Sequence, residues 1–304
     1  MASKSALRFR LEFAAVRLVR AGLRPLPIGG VRVCGRLLGW LTWLVDGFHR
    51  RIALDNLSHA FPTRSPRERR AIARRMFMHF GALLLELIRF DTLSDDQMRA
   101  RVESEGEERV FQAYEQGRGL LFVTGHFGYW EMQAIVGGLR TPRPMSVLAR
   151  PMDNPYLHAM LERIRTRTGN GVIYRQGALR KILRELSSNH GVAILIDQHL
   201  HADTVMVDFF HRPAATTAAL AALALRTGAV VIPVFALPLP GGRYRFVYEA
   251  AVPPPSEDSP DAIREFTQRC TDVLEMYVRR NPHLWLWMHR RWRPVEPEAG
   301  SRSE

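Results

Sequence analysis

Residues 119–131 read Gly-Leu-Leu-Phe-Val-Thr-Gly-His-Phe-Gly-Tyr-Trp-Glu. The apolar and β-branched run 120–124 predicts a buried strand and 129–139 a helix, so 125–128 must turn between them. His126 then falls at the C-terminal end of a strand, where α/β sheets present their chemistry, and Glu131 in the first turn of the next helix. On one helix the two would point about 140° apart. They meet only if His126 lies on the turn and swings back, giving a dyad in which a carboxylate holds one ring nitrogen as N–H and frees the other as a base. A histidine packed at a strand end, beside a Glu favoured by the helix dipole, explains the same spacing. The aromatics Phe127, Tyr129 and Trp130 and the turn residues Gly125 and Gly128 favour a dry, shaped site.

Outward from this stretch, strands are expected over 145–149, 171–174, 192–196, 205–210 and 229–235, with an edge strand over 244–249. Helices are expected over 65–90, 156–168, 213–227 and from Ser259 to Asn281, and two polar helical pieces over 94–117. The fold class is α/β: a central mixed, mostly parallel β-sheet flanked by helices, with N-terminal membrane-associated helices. Three strand ends carry charge. Arg150 could hold a thioester or phosphate oxygen, because guanidinium is permanently charged and forked, although on the sequence alone a surface salt bridge is the safer reading. Arg163, Arg165 and Arg167 on one helix, with Arg175 after the next strand, make a basic cluster beside the cleft. Asp197 begins Asp-Gln-His-Leu-His-Ala-Asp, whose His199-x-His201 spacing has the form of a metal site but lacks a distant third ligand motif. It is read instead as an acidic strand-end residue that organises the arginines.

The chain has 304 residues, 46% of them hydrophobic, enough for one large core, and no Gly-, Ser- or Pro-rich linker divides it. Cys34 and Cys270 have neither disulfide-framework nor metal spacing. The net charge of +13 points to an acidic partner: nucleic acid, anionic lipid or an acidic protein. Residues 1–60 hold ten Lys/Arg against three acids. Arg10, Arg17, Arg20 and Arg24 fall on one side of a helix opposite Leu11, Ala15, Leu18 and Val19, the pattern of a helix lying in a membrane interface; packing on the chain's own domain explains this segment equally well. Residues 31–45 carry Trp40 and Trp43, but their longest uncharged stretch is nine residues, against about 18 for a span. A monotopic protein held by two basic helices over residues 1–48 is expected, with a short or re-entrant insertion as the other arrangement.

The stretch 124–131 resembles the HX4D/E motif of the late acyltransferases of lipid A biosynthesis, the lauroyl/myristoyl transferase family. Leu-Ala-Arg-Pro-Met-Asp-Asn-Pro (148–155), Ile-Leu-Ile-Asp-Gln (194–198), Pro-Ala-Ala-Thr-Thr (213–217) and Trp-Met-His-Arg-Arg-Trp (287–292) match in the same order, as do 51–57 and 60–62 upstream. The resemblance implies an acyltransferase domain over 49–293, followed by a disordered tail over 294–304, and metal- and cofactor-free chemistry. His126 is then the base and Glu131 its orienter, with turn amides around Gly125 to Gly128 and Arg150 as oxyanion or phosphate donors, and Arg165, Arg175 and Asp197 in substrate binding. Acyl carrier protein or acyl-CoA would donate a fatty chain to a hydroxyl of a lipid A precursor at the cytoplasmic face of the cell inner membrane. No Gly-x-Ser-x-Gly elbow is present, so direct attack by the acceptor is expected. Acceptance of another glycolipid or phospholipid stays open, because related sequences often carry a charged residue where Gln198 stands. A nucleic-acid-binding protein is the non-enzyme alternative, but no nucleic-acid motif is found.

Overall fold

The computed structural model describes residues 2–90, 92–174, 176–199 and 203–293. Four helices open the chain: α1 (Ala2–Leu23), α2 (Ile28–Val45), α3 (Gly47–Ala60) and α4 (Pro66–Phe90). The α/β part follows, as α5 (Asp95–Arg99), β1 (Val102–Glu105), α6 (Glu107–Glu115), β2 (Leu120–Thr124), α7 (Trp130–Arg140), β3 (Met145–Ala149), α8 (Pro155–Thr166), β4 (Gly171–Tyr174), α9 (Ala178–Ser187) and β5 (Gly191–Leu195). A hairpin of β6 (Thr204–Asp208) and β7 (Pro213–Thr217) leads to α10 (Ala219–Thr227), β8 (Val230–Leu239), β9 (Arg243–Tyr248) and α11 (Pro260–Arg280).

The seven-stranded sheet runs β1-β9-β8-β2-β5-β3-β4, parallel throughout except for β8 against β9. Strands alternate their side chains between two covered faces, which is why β2 and β5 are apolar along their whole length. Phe122, Val147 and Ala193 pack with Met132, Ile135 and Val136 of α7 on one face. Leu121, Val123 and Ile194 pack with α9, α10 and α11 on the other. β9 is interior rather than an edge strand, because β1 pairs beyond it; residues 102–105 form that strand where a helical piece is expected. Likewise 213–217 is a hairpin strand, with α10 beginning only at Ala219.

The sheet is split. Between β3 and β5 the pairing stops at Val147 opposite Ala193, yet β3 continues beside β4 to Ala149, and β5 beside β2 to Leu195. Diverging strands leave a gap at the C-terminal edge, beside the turn after β2.

α2 docks along α4 through glycines. A Cβ on Gly35 would stand 2.5 Å from the Ala82 Cα, and one on Gly39 would stand 2.1 Å from the Phe77 carbonyl oxygen. This Gly-x-x-x-Gly spacing brings the two backbones together. The outer face of α2 exposes Val33, Leu37, Leu41, Leu44 and Val45, and α1 exposes Leu7, Leu11 and Leu18. At 18 residues and a mean hydropathy of 1.2, α2 is long and apolar enough to cross a membrane by length and composition. Residues 294–304 lie outside the described residues.

Candidate active site

The turn 125–129 is held from three sides. The Gly128 N–H donates to the Leu284 carbonyl at 2.8 Å, the Tyr129 N–H to the Ala236 carbonyl at 3.0 Å, and the Leu286 N–H to the His126 carbonyl at 3.1 Å. On its back, His79 Nε2 lies 3.0 Å from the Gly128 carbonyl. Burial lowers the His79 pKa to about 3, so the ring is neutral and donates there. Gly128 has φ +59°, and a Cβ would stand 1.9 Å from the Ala236 oxygen, so both conformation and space demand glycine.

The carboxylate bound to His126 is Asp197. Nδ1 lies 2.8 Å from Asp197 Oδ1, and the His126 backbone N–H donates to Oδ2 at 2.6 Å. Trp285 Nε1 is the third donor to this carboxylate and the second to Oδ2, at 2.8 Å. Burial alone would raise the Asp197 pKa, but the His126 ring and these N–H donors outweigh it and hold the carboxyl at about 2. Burial likewise pushes His126 down, whereas the Asp197 charge and hydrogen bond pull harder and raise its pKa overall. With Nδ1 donating to Asp197, Nε2 carries the lone pair. It points to Gln198 Nε2 at 3.1 Å, which also lies 3.2 Å from His289 Nε2.

Glu131, the expected orienter, does not hydrogen-bond His126. Its carboxylate is engaged by Arg165: Nε donates at 3.0 Å, and Nη2 makes a second, shorter contact. α7 aims Glu131 toward α8, where a buried guanidinium needs a counter-charge. Asp197 in turn organises His126 and Trp285 rather than the arginines. The turn amides of residues 126–129 all donate to protein acceptors, which removes them as oxyanion donors. Arg150 stands at the cavity mouth with its side chain 86% exposed, 3.6 Å from Asp153. Arg175 and His201 lie outside the described residues. Among the described residues no group of three or more His, Cys, Asp or Glu could hold a metal ion.

Trp285, Gln198 and His289 are site residues that reading the sequence did not place. The signal for Trp285 is the aromatic-rich 285–292 run, whose Trp285 and Trp287 are both buried. Asn56 Nδ2 pins this strap by donating to the carbonyls of Trp287 and His289 at 2.8 and 2.7 Å.

His126, Trp130, Arg150 and Gln198 open onto a cavity of about 710 Å³. It lies between α7 and the sheet face formed by Phe122, Val147 and Ala193, and passes the β3–β5 split to Ile182 and Leu223. Such a mostly apolar hole beside a polar mouth suits a hydrocarbon chain whose reactive end stays at His126.

A model of the bacterial lipid A biosynthesis acyltransferase family matches residues 3–294. The lipid A biosynthesis palmitoleoyltransferase of Escherichia coli (strain K12) is 28% identical over 248 residues, 80% of this chain and 79% of that one. The lipid A biosynthesis lauroyltransferase of the same strain is 28% identical over 269 residues, 88% and 85% of the two chains. The phosphatidylinositol mannoside acyltransferase of Mycolicibacterium smegmatis is 24% identical over 211 residues, 68% and 67% of the two.

Proposed function

The chain belongs to the bacterial lipid A biosynthesis acyltransferase family and is an O-acyltransferase; on that premise we propose that it moves a fatty acyl chain from acyl carrier protein or coenzyme A to a hydroxyl of a lipid A precursor, using His126 as general base. The observation that carries this reading is the His126–Asp197 pair at the mouth of an apolar cavity. His126 Nε2 takes the acceptor hydroxyl proton as the oxygen attacks the thioester carbonyl. Asp197 stabilises the imidazolium that forms. Collapse of the tetrahedral intermediate breaks the C–S bond, leaving the new ester, and the imidazolium returns the proton to the departing thiolate. The fatty chain lies in the cavity. Gln198, displaced from Nε2 by the acceptor, and Arg150 at the mouth face the developing oxyanion or an acceptor phosphate. The Glu131–Arg165 pair fixes the wall between α7 and α8.

The exposed apolar faces of α1 and α2, with the basic charge of the first 60 residues, fit a surface seated on anionic lipid at the cytoplasmic face of the inner membrane. Docking of α2 on α4, with Arg32 turned inward to Glu86 at 3.2 Å, favours a helix lying in the interface over one that leaves the domain to span it. Another glycolipid acceptor is the second reading, favoured by the likeness to a phosphatidylinositol mannoside acyltransferase.

The test is transfer of radiolabelled acyl chains from acyl carrier protein, and separately from coenzyme A, to a detergent-solubilised lipid A precursor. Product from the wild type, reduced about 10²-fold or more in His126→Ala, is the expected result. A folded His126→Ala with wild-type transfer would overturn the mechanism. Product only when a mixed lipid extract replaces the precursor would establish the second reading.

A further inference from the structure

The cavity is not uniformly apolar. Gln133 and Thr124 both line it, each only 6% exposed. Neither the Gln133 amide oxygen and nitrogen nor the Thr124 hydroxyl has a hydrogen-bond partner in the protein. Buried polar groups are almost always paired, and leaving one unpaired costs about 1–3 kcal/mol. Two such side chains, one from the sheet and one from α7, lining the same cavity are therefore provision for a polar atom that the ligand brings. An all-hydrocarbon chain filling this space would strip water from both and replace none of their bonds.

Their position says where that atom lies. Thr124 ends β2, two residues before His126. Trp130 packs against the His126 ring at 5.2 Å between centroids, and Gln133 follows it by three residues on α7, about 4.5 Å along the helix axis. Thr124 and Gln133 thus precede and follow the His126–Trp130 contact by two and three residues, toward the end of the cavity that opens at His126. From this we infer that the enzyme selects a donor acyl chain bearing a hydroxyl at C2 or C3, read by the Gln133 amide and the Thr124 hydroxyl. The inference rests on the acyl-transfer reading and names the class of chain transferred. A site built to bond a substrate hydroxyl discriminates strongly against the analogue lacking it, because its own polar groups are then left unpaired.

The experiment compares 2-hydroxy-, 3-hydroxy- and unsubstituted acyl thioesters of one chain length on the same carrier, with the wild type, Gln133→Leu and Thr124→Val. The wild type is expected to prefer one hydroxylated donor by about tenfold or more in kcat/KM, and Gln133→Leu to abolish that preference while keeping transfer of the plain chain. Gln133→Leu is also expected to melt no lower than the wild type, since it exchanges an unpaired buried amide for an apolar group. Calorimetric binding of the matching free fatty acids reads the same preference without turnover. An enzyme that binds the hydroxylated acid preferentially but transfers nothing to the lipid A precursor would sink the proposed acceptor and leave the hydroxyl preference standing. Equal binding and equal kcat/KM across the donors would overturn the inference. So would a uniform loss across all donors in Gln133→Leu, which would place the amide on the thioester carbonyl or the carrier's arm instead.

Discussion

His126 and Asp197 stand side by side because they occupy equivalent positions on neighbouring strands. β2 and β5 are parallel and in register through Thr124 opposite Leu195, and each of the two residues lies two positions past that last pair. The two chains emerging together from the sheet edge bring Nδ1 to 2.8 Å from Oδ1. Gly125 lets them approach: a Cβ there would lie 2.9 Å from Asp197 Oδ2. The His126–Asp197 pair is therefore a product of strand order, placed where parallel sheets open to their ligands.

Trp285→Phe removes one of the N–H donors to Asp197 while keeping the ring in the core. The Asp197 pKa, held at about 2 and below its ordinary 3.8, should rise. A depressed carboxyl contributes stability above its unfolded pKa and loses it as pH falls through the folded one. The variant should accordingly be less stable than the wild type by about 2 kcal/mol near neutrality, with the gap closing between pH 4 and pH 2. Urea denaturation at a series of pH values checks this.

Glu131→Ala leaves the Arg165 guanidinium, 15% exposed, without its carboxylate. Removing one partner of a buried pair should cost about 3 kcal/mol and lower the melting temperature. The double substitution Glu131→Leu/Arg165→Met should recover most of that loss, because no charge is then left uncompensated. Thermal unfolding of the two variants tests the pairing; equal instability of both would contradict it.

Gly128→Ala should destabilise by more than about 2 kcal/mol and abolish activity, since the new methyl meets the Ala236 oxygen from a left-handed backbone. Retained folding with retained activity would mean that the turn tolerates a shift away from β8.

Much of this was legible in the residues. The 120–124 strand, the helix after it and the long helices 65–90 and 260–280 follow from periodicity and caps, and with them the position of His126 on the turn just past a strand end. The errors share one cause: pairing partners distant in the chain. Val102–Glu105 is short and acidic, and becomes a strand only because β9 offers it a parallel partner. Pro213–Thr217 sits in an alanine-rich run that reads as helix, but Ala214, Ala215, Thr216 and Thr217 pair across a hairpin with β6. Glu131 was the nearest carboxylate to His126 along the chain, whereas Asp197 is the nearest in space, and only the β2–β5 neighbour relation reveals that. The Gly128 and Tyr129 amides also find their acceptors far along the chain, on Leu284 and Ala236, so their loss as oxyanion donors has no local signature.

The pH dependence of kcat in the wild type, Asp197→Asn and Glu131→Gln tests most directly which carboxylate sets up the base. As the proposed base His126 would act in its neutral form, and its raised pKa then places the acid limb of the wild-type profile above 6.5. Burial would lower that pKa were the Asp197 charge absent, so Asp197→Asn should move the limb to lower pH and reduce the plateau by about 10²-fold or more. Glu131→Gln should shift the limb far less, because its charge acts on the ring without a hydrogen bond. A limb that moves with Glu131→Gln and stays fixed in Asp197→Asn would contradict the His126–Asp197 pair as the catalytic base.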